Sequence, residues 1–382
     1  MKNAPLNRNT RVDFLRGVAI AAVLILHFSL SYGLKNSSLG TLLPAWLLKG
    51  ITRNGNYGVT IFCVISGYLI TSRSLQRWGS LRNIDAPAFY LFRFARIMPA
   101  LLLALAIIVA LGATGLPNFA NSDGGHHLPT SYFLIAAGSV LTFWHNVLMQ
   151  SAGYFNYSLN IYWSLSVEEV FYLALPIACL CLRRTGLIVA LCCLAIVAGP
   201  FYRAAHLDNE IYFMYGYPAC FDAIAIGCLA ALLAPRLGLA GGARRALRYA
   251  AGAALAVVYL RGIDGNEVFG FSLIALASAA FLLGAAGDAA AGWSTGRAAA
   301  PLRWLGRHSY ELYLFHIIVL GLMRNVLSKE QLGYAARLPW LLLFLALSAL
   351  AAALVARHVS EPANAAIRAA YARRAAGAVQ LP

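Results

Sequence analysis

The sequence is short of charge. Only 12% of its 382 residues are Asp, Glu, Lys or Arg, and just 14 are acidic, whereas 60% are hydrophobic. With a mean hydropathy of +0.69, this excludes an ordinary soluble domain and predicts an all-α polytopic membrane protein. The formal net charge of +16 would suit nucleic acid. However, the basic residues fall in short clusters between apolar runs, the pattern of cytoplasmic loops, so no nucleic-acid partner is expected. Cysteine is absent from the polar loops, which excludes a disulfide framework. Cys179-x-Cys181 and Cys192-Cys193 lack the spacing and histidine companions of a metal site. All seven cysteines read as small buried hydrophobes, and no metal is expected. There is no small-residue cleavage site after the first apolar run, so that run is a span and not a signal peptide. No internal repeat and no appended soluble domain stand out. The roughly 25 residues after the last span are too few for a core of their own.

Basic clusters then set the orientation. Residues 1–11 are a basic leader, expected in the cytoplasm, and 12–32 form the first span. The second, 57–72, returns to Arg73, Arg77 and Arg82. Residues 86–98 read as an amphipathic lead-in on the cytoplasmic surface, with Pro99 opening a third span that ends near 115. Later spans are expected at 161–182, 187–202, 211–233, 249–260, 268–287, 309–327 and 339–356. Arg236, Arg244, Arg245 and Arg248 make the loop before 249 cytoplasmic. Counting back from it places Arg183-Arg184 inside as well, so the apolar stretch 132–149 must be re-entrant and not a full crossing. The expectation is about ten spans, one re-entrant segment, both termini inside and a cytoplasmic tail over 358–382, all within a single domain 1–382.

Ionisable residues inside such spans are costly and are functional candidates by default. Arg16 and His27 are separated by eleven residues in the first span. That is three turns plus about 20°, so they share a face about 16 Å apart along the axis. The bland alternative is a snorkelling arginine and a bonded core histidine. Arg93 and Arg96 share a helix face at i, i+3 and offer forked donors suited to phosphate, although an interfacial anchor would look the same in isolation. Glu168 and Glu169 sit in the apolar run after Trp163; adjacent positions diverge by about 100°, so at most one should face a given cavity. Asp222 is a further intrusion, either functional or paired with an arginine. His316 is as often a bonded core residue as a catalytic one. His126-His127 has no third ligand and reads as solvated.

Together these residues resemble the membrane acyltransferase 3 family over most of the chain. Arg16 followed by ten residues and His27 is similar to its first-helix motif, and Phe62-Cys-Val-Ile-Ser66-Gly67-Tyr68 to its second-helix Ser-Gly-aromatic motif. Arg93-x-x-Arg96 with Pro99, Trp163-Ser-Leu-Ser-Val-Glu168-Glu169-Val-Phe-Tyr172, Tyr310 to His316 with Tyr313, and Glu361-Pro362 follow in order. The resemblance implies transfer of an acyl group, usually acetyl, from cytoplasmic acetyl-CoA to a hydroxyl of an extracytoplasmic carbohydrate or glycolipid, such as a lipopolysaccharide or exopolysaccharide, at the inner membrane. It implies that Arg93 and Arg96 bind coenzyme A phosphates, that Arg16 lines the donor path, and that His27 is catalytic with support from Glu168 or Glu169. Ser66, Asp222, Tyr313 and His316 are further candidates. Two departures stand out. Cys220 occupies the position where the family often has arginine, which leaves Asp222 without an evident partner. The hydrolase-like domain of many relatives is missing, so direct transfer or a separate extracytoplasmic partner enzyme is expected. A secondary transporter or flippase for a small anion or lipid-linked sugar is the rival, but the inverted repeats it predicts are not found.

Overall fold

The computed structural model describes residues 9–123, 125, 127–286 and 294–379. Most of the expected leader 1–11, His126, the end of the expected span 268–287 and the last residues of the tail lie outside them. The described chain is helical, and no strand occurs among the described residues. It runs α1 (Thr10–Tyr32), α2 (Ser38–Leu42), α3 (Ala45–Arg53), α4 (Asn56–Trp78), α5 (Ala86–Ala113), α6 (Tyr132–Leu141), α7 (His145–Ala152) and α8 (Trp163–Leu182). There follow α9 (Thr185–Ala205), α10 (Glu210–Tyr215), α11 (Tyr217–Leu233), α12 (Gly241–Arg261), α13 (Gly270–Ala285), α14 (Ala300–Arg307), α15 (Ser309–Val326), α16 (Arg337–Val355) and α17 (Glu361–Val379). Local chemistry sets several ends. The Asn9 side chain caps α1 by accepting from the Arg11 N–H, and Gly33, at φ 69°, stops it. The Asp85 side chain caps α5 at the Ala88 N–H.

Among the described residues, seven helical stretches are long and apolar enough to cross a membrane by length and composition. The chain is an all-α polytopic membrane protein. The expected spans 249–260, 268–287 and 309–327 correspond to α12, α13 and α15. Of these, α13 is shorter than a full crossing, and α12 and α15 are diluted by charged residues. In the stretch 132–149, a break at Phe143 (φ 64°) separates α6 and α7. Neither piece approaches the ~20 residues that a crossing needs.

Three details differ from the sequence expectation. Pro99 does not open a span: 86–98 and the following apolar run are one helix, α5, with Pro99 inside it. The Tyr310 hydroxyl donates to the Ile97 carbonyl at this same turn (2.7 Å), tying α5 to α15 where proline removes a backbone donor. Arg244, Arg245 and Arg248 lie on α12 and not in a loop, and Arg248 is buried against the Gly284 carbonyl. Cys181 and Cys193 are exposed on the bundle surface, so only part of the cysteine set is buried.

Backbone-to-backbone contact organises the centre. A Cβ on Gly67 of α4 would overlap the Ile224 carbonyl of α11, and one on Gly227 would overlap the Val64 carbonyl. Reciprocal glycines therefore let these two helices touch along their backbones, as small residues do in membrane bundles. Behind this contact lies a buried charge cluster. The Arg203 guanidinium donates to Asp222 Oδ2 (2.7 Å), to the Ser272 hydroxyl (2.6 Å), and to the Val268 and Ala219 carbonyls. Ser272 in turn donates to Asp222 (2.6 Å). The partner that Cys220 could not supply thus comes from α9. Asp222→Ala would strand a buried guanidinium and should cost about 3–5 kcal/mol. The check is the melting temperature of the purified protein, and adding Arg203→Leu to that variant should restore part of the loss.

Candidate active site

Three spaces lie within the bundle, and the first two are continuous. The first, about 1170 Å³, opens at the arginine-rich end, and Arg16, Arg73, Arg96, Arg244, Arg307 and Arg368 line it, against the carboxyls of Asp13, Glu311 and Glu361. It shares Arg16, Leu69, Arg73, Arg96 and Arg368 with a narrow inner cavity of about 170 Å³. This inner cavity also holds Arg93, Ser66, Glu168, Glu169, Tyr172 and Tyr313. At the other end a third chamber of about 730 Å³ is lined by His27, and its carboxylates are Asp123, Asp208, Glu210, Asp264 and Glu267.

Helices α4 and α8 together present most of the inner wall. The Tyr172 hydroxyl lies 2.8 Å from Glu168 Oε2 and 3.1 Å from Ser66 Oγ. With one proton to give, it donates to the carboxylate and accepts from the serine. Gly67, by seating α4 on α11, fixes the backbone that carries Ser66. Both Glu168 and Glu169 line this cavity, contrary to the expectation that only one could. Ser164, Leu165, Glu168, Glu169 and Tyr172 form one broad face of α8 toward the cavity, an arc of about 140°, which spans both adjacent glutamates. Arg93 sits over the Tyr172 ring at 5.6 Å, and Arg96 lies 3.6 Å from Glu311. Glu169 Oε1 and Arg16 Nε are buried without a hydrogen-bond partner among the described residues. Unmet buried donors and acceptors of this kind, beside a cavity, are atoms available to a ligand.

A septum closes the inner cavity from the third chamber. The Tyr313 hydroxyl donates to the Ile161 carbonyl (2.8 Å) and therefore accepts from Ser164 Oγ (2.6 Å). Tyr313 and Ser164 face the inner cavity, whereas Ile161 faces the chamber of His27. His27 Nδ1 lies 2.7 Å from His316 Nε2. The rings lie nearly in one plane, at 16°, with centroids 5.0 Å apart, which is an end-to-end hydrogen bond and not a face-to-face stack. His316 Nδ1 lies 2.9 Å from the Leu312 carbonyl, which can only accept. The neutral His316 therefore carries its proton on Nδ1, and its Nε2 accepts from His27 Nδ1–H. That leaves His27 Nε2 as a bare lone pair. At the chamber rim, the hydrogen bond from Lys49 (2.9 Å) holds the Asp264 carboxyl below the usual carboxylate range.

The structure thus brings Arg16, Ser66, Arg93, Arg96, Glu168, Glu169 and Tyr313 around one cavity, and joins His27 to His316 beyond the septum. Asp222 stands apart, tied to Arg203 beside a void of only about 10 Å³. Sequence reasoning missed Arg73, which looked like an orientation charge, and Arg368, which looked like part of a tail. It quoted Tyr172 only as the end of a motif.

The family model described as "Acyltransferase domain" matches residues 9–358. The chain belongs to this acyltransferase family. It is 24% identical over 340 residues to the peptidoglycan O-acetyltransferase OatA of Listeria monocytogenes, covering 84% of this chain and 50% of that protein. Against the O-acetyltransferase OatA of Staphylococcus aureus the figures are 22% over 343 residues, 84% and 52%. Against the putative peptidoglycan O-acetyltransferase YrhL of Bacillus subtilis they are 25% over 341 residues, 82% and 49%. The chain spans about half the length of the curated relatives it matches. No solved structure matches it.

Tyr172→Phe removes the proton that satisfies Glu168 and should destabilise the protein by about 1–3 kcal/mol. Thermal unfolding of the purified variant tests this, and an unchanged melting point would show that the bond contributes nothing.

Proposed function

We propose that the chain is a membrane O-acyltransferase. It moves an acyl group, acetyl by its likeness to the O-acetyltransferases, from cytoplasmic acyl-CoA to a hydroxyl of an extracytoplasmic carbohydrate or glycolipid. One observation carries this: an arginine-lined cavity continuous with a narrow inner one, and beyond a septum the chamber of His27 with the opposite charge. In this reading the arginine-rich end faces the cytoplasm together with both termini, as the distribution of basic residues expects.

The first cavity has the volume and the charge for a nucleotide thioester, being somewhat larger than the roughly 300–1,000 Å³ of common ligand sites. Forked guanidiniums suit phosphates, which gives Arg93, Arg96 and their newly placed neighbours Arg73 and Arg368 a role in holding coenzyme A. The inner cavity is too small for a nucleotide but admits the extended thiol arm and its acyl end. Arg16 and Glu169 offer unmet polar atoms along that route. Transfer then requires the Tyr313–Ser164 septum to part.

At the septum His27 Nε2 acts as general base. The acceptor oxygen bonds to the acyl carbon while the carbon–sulfur bond breaks. The hydroxyl proton passes to His27, and coenzyme A leaves as its thiolate. His316 is a positioning residue: it fixes the tautomer that leaves Nε2 free and stabilises the imidazolium as it forms.

His27→Ala should lower acetyl transfer by at least about 100-fold, the low end of general-base catalysis, with the protein still inserted and folded. Retained transfer from radiolabelled acetyl-CoA would sink the assignment. His316→Ala should lower kcat with KM for acetyl-CoA unchanged, and His316→Gln, which again offers an acceptor, should recover part of it. Arg93→Ala should act on the other term, raising KM for acetyl-CoA about tenfold or more, in keeping with the ~1.5–3 kcal/mol of a charged hydrogen bond.

A further inference from the structure

The chamber of His27 has a wall and a rim of different chemistry. Its wall is aromatic and amide. The Trp163 and Tyr215 rings lie nearly parallel with centroids 4.3 Å apart, and Tyr154 stands edge-on to Tyr215 while donating to its hydroxyl at 3.0 Å. Asn56 and Asn160 add amide groups to the same lining. Flat, locked aromatic faces suit the C–H faces of sugar rings, and a few fixed amides suit their hydroxyls.

The rim is acidic. Five carboxylates line the chamber against one guanidinium, that of Arg53, a formal excess of four negative charges. Lys49 pairs with Asp264. They come from three separate parts of the chain, the segments around Asp123, Asp208–Glu210 and Asp264–Glu267, so the tertiary fold has gathered them. Field from such a rim is focused into the low-dielectric cleft, and its reach is about 10 Å at 0.1 M salt.

We propose that this chamber is a glycan-binding site selective for neutral or cationic sugars, and that its carboxylate rim turns away polyanionic ones. This deepens, and rests on, the placement of the acceptor beside His27. The same field opposes escape of the polyphosphate donor to this side, which confines coenzyme A to the arginine end.

The test needs no donor. Protein in zwitterionic nanodiscs is titrated calorimetrically at low salt with three β-1,4-linked tetrasaccharides: cellotetraose, chitosan tetraose and tetramannuronate. Cellotetraose and chitosan tetraose should bind, with tetramannuronate at least about tenfold weaker. The gap should close in about 0.5 M salt. The triple variant Asp208→Asn, Glu210→Gln, Glu267→Gln, altered only at the rim, should narrow the low-salt gap to within about threefold. Equal or tighter binding of tetramannuronate, a gap unmoved by the triple variant, or no binding of any of the three overturns the inference. The acyl-transfer reading fails differently: wild-type protein that shows this glycan preference but never transfers label from acetyl-CoA would overturn that reading and leave the preference standing.

Discussion

An ionised or hydrogen-bonding side chain cannot be left facing lipid, and the bundle is arranged to satisfy that constraint. Every arginine, glutamate and histidine carried into an apolar helix must meet a partner or a water-accessible space. The protein uses both solutions. Arg203 and Asp222 are buried together and saturate each other with help from Ser272. The arginines of α1, α4, α5 and α17, with the glutamates of α8, are turned toward interior cavities. The first arrangement is structural because the guanidinium is held on four sides by the protein itself, beside a void of only about 10 Å³. The second leaves atoms such as Arg16 Nε and Glu169 Oε1 unmet, which is the state of a site that awaits one.

Close helix contact makes the cavities narrow and definite. Gly67 and Gly227 bring α4 and α11 into backbone contact, and Gly17 and Gly306 do the same for α1 and α14. Since lipid gives no hydrophobic reward for helix association, such packing is what holds the walls in register. The waist at Tyr313 and Ser164 follows from it. The hydroxyls of Tyr313 and Ser164 line the inner cavity, and Ile161, whose carbonyl Tyr313 bonds, lines the chamber of His27.

The histidine pair shows how position becomes chemistry. A backbone carbonyl fixes the proton on His316, and His316 fixes the proton on His27. The free lone pair on His27 is thus decided two hydrogen bonds away, by the main chain of α15. A histidine in the same helix without that relay would present a mixture of tautomers to the chamber.

The sequence by itself determined the membrane class, the helical stretches, and the identity of most ionisable residues in the inner cavity. Hydropathy, charge clusters and short motifs are local signals, read over one or two helical turns. The glycine in Ser66-Gly67 and the run Trp163 to Tyr172 were legible for that reason. What only the tertiary structure decided are the partnerships between distant segments. His27 meets His316 across 289 positions, Tyr172 meets Ser66 across 106, and Asp222 finds its arginine 19 positions away on another helix. Arg73 and Arg368 join the site only because α4 and α17 converge on it. The course of α5 through Pro99, the placing of both glutamates in one cavity, and the acidic chamber around His27 were likewise out of reach. Each depends on which helix faces which, and side-chain periodicity within one helix carries no record of its neighbour.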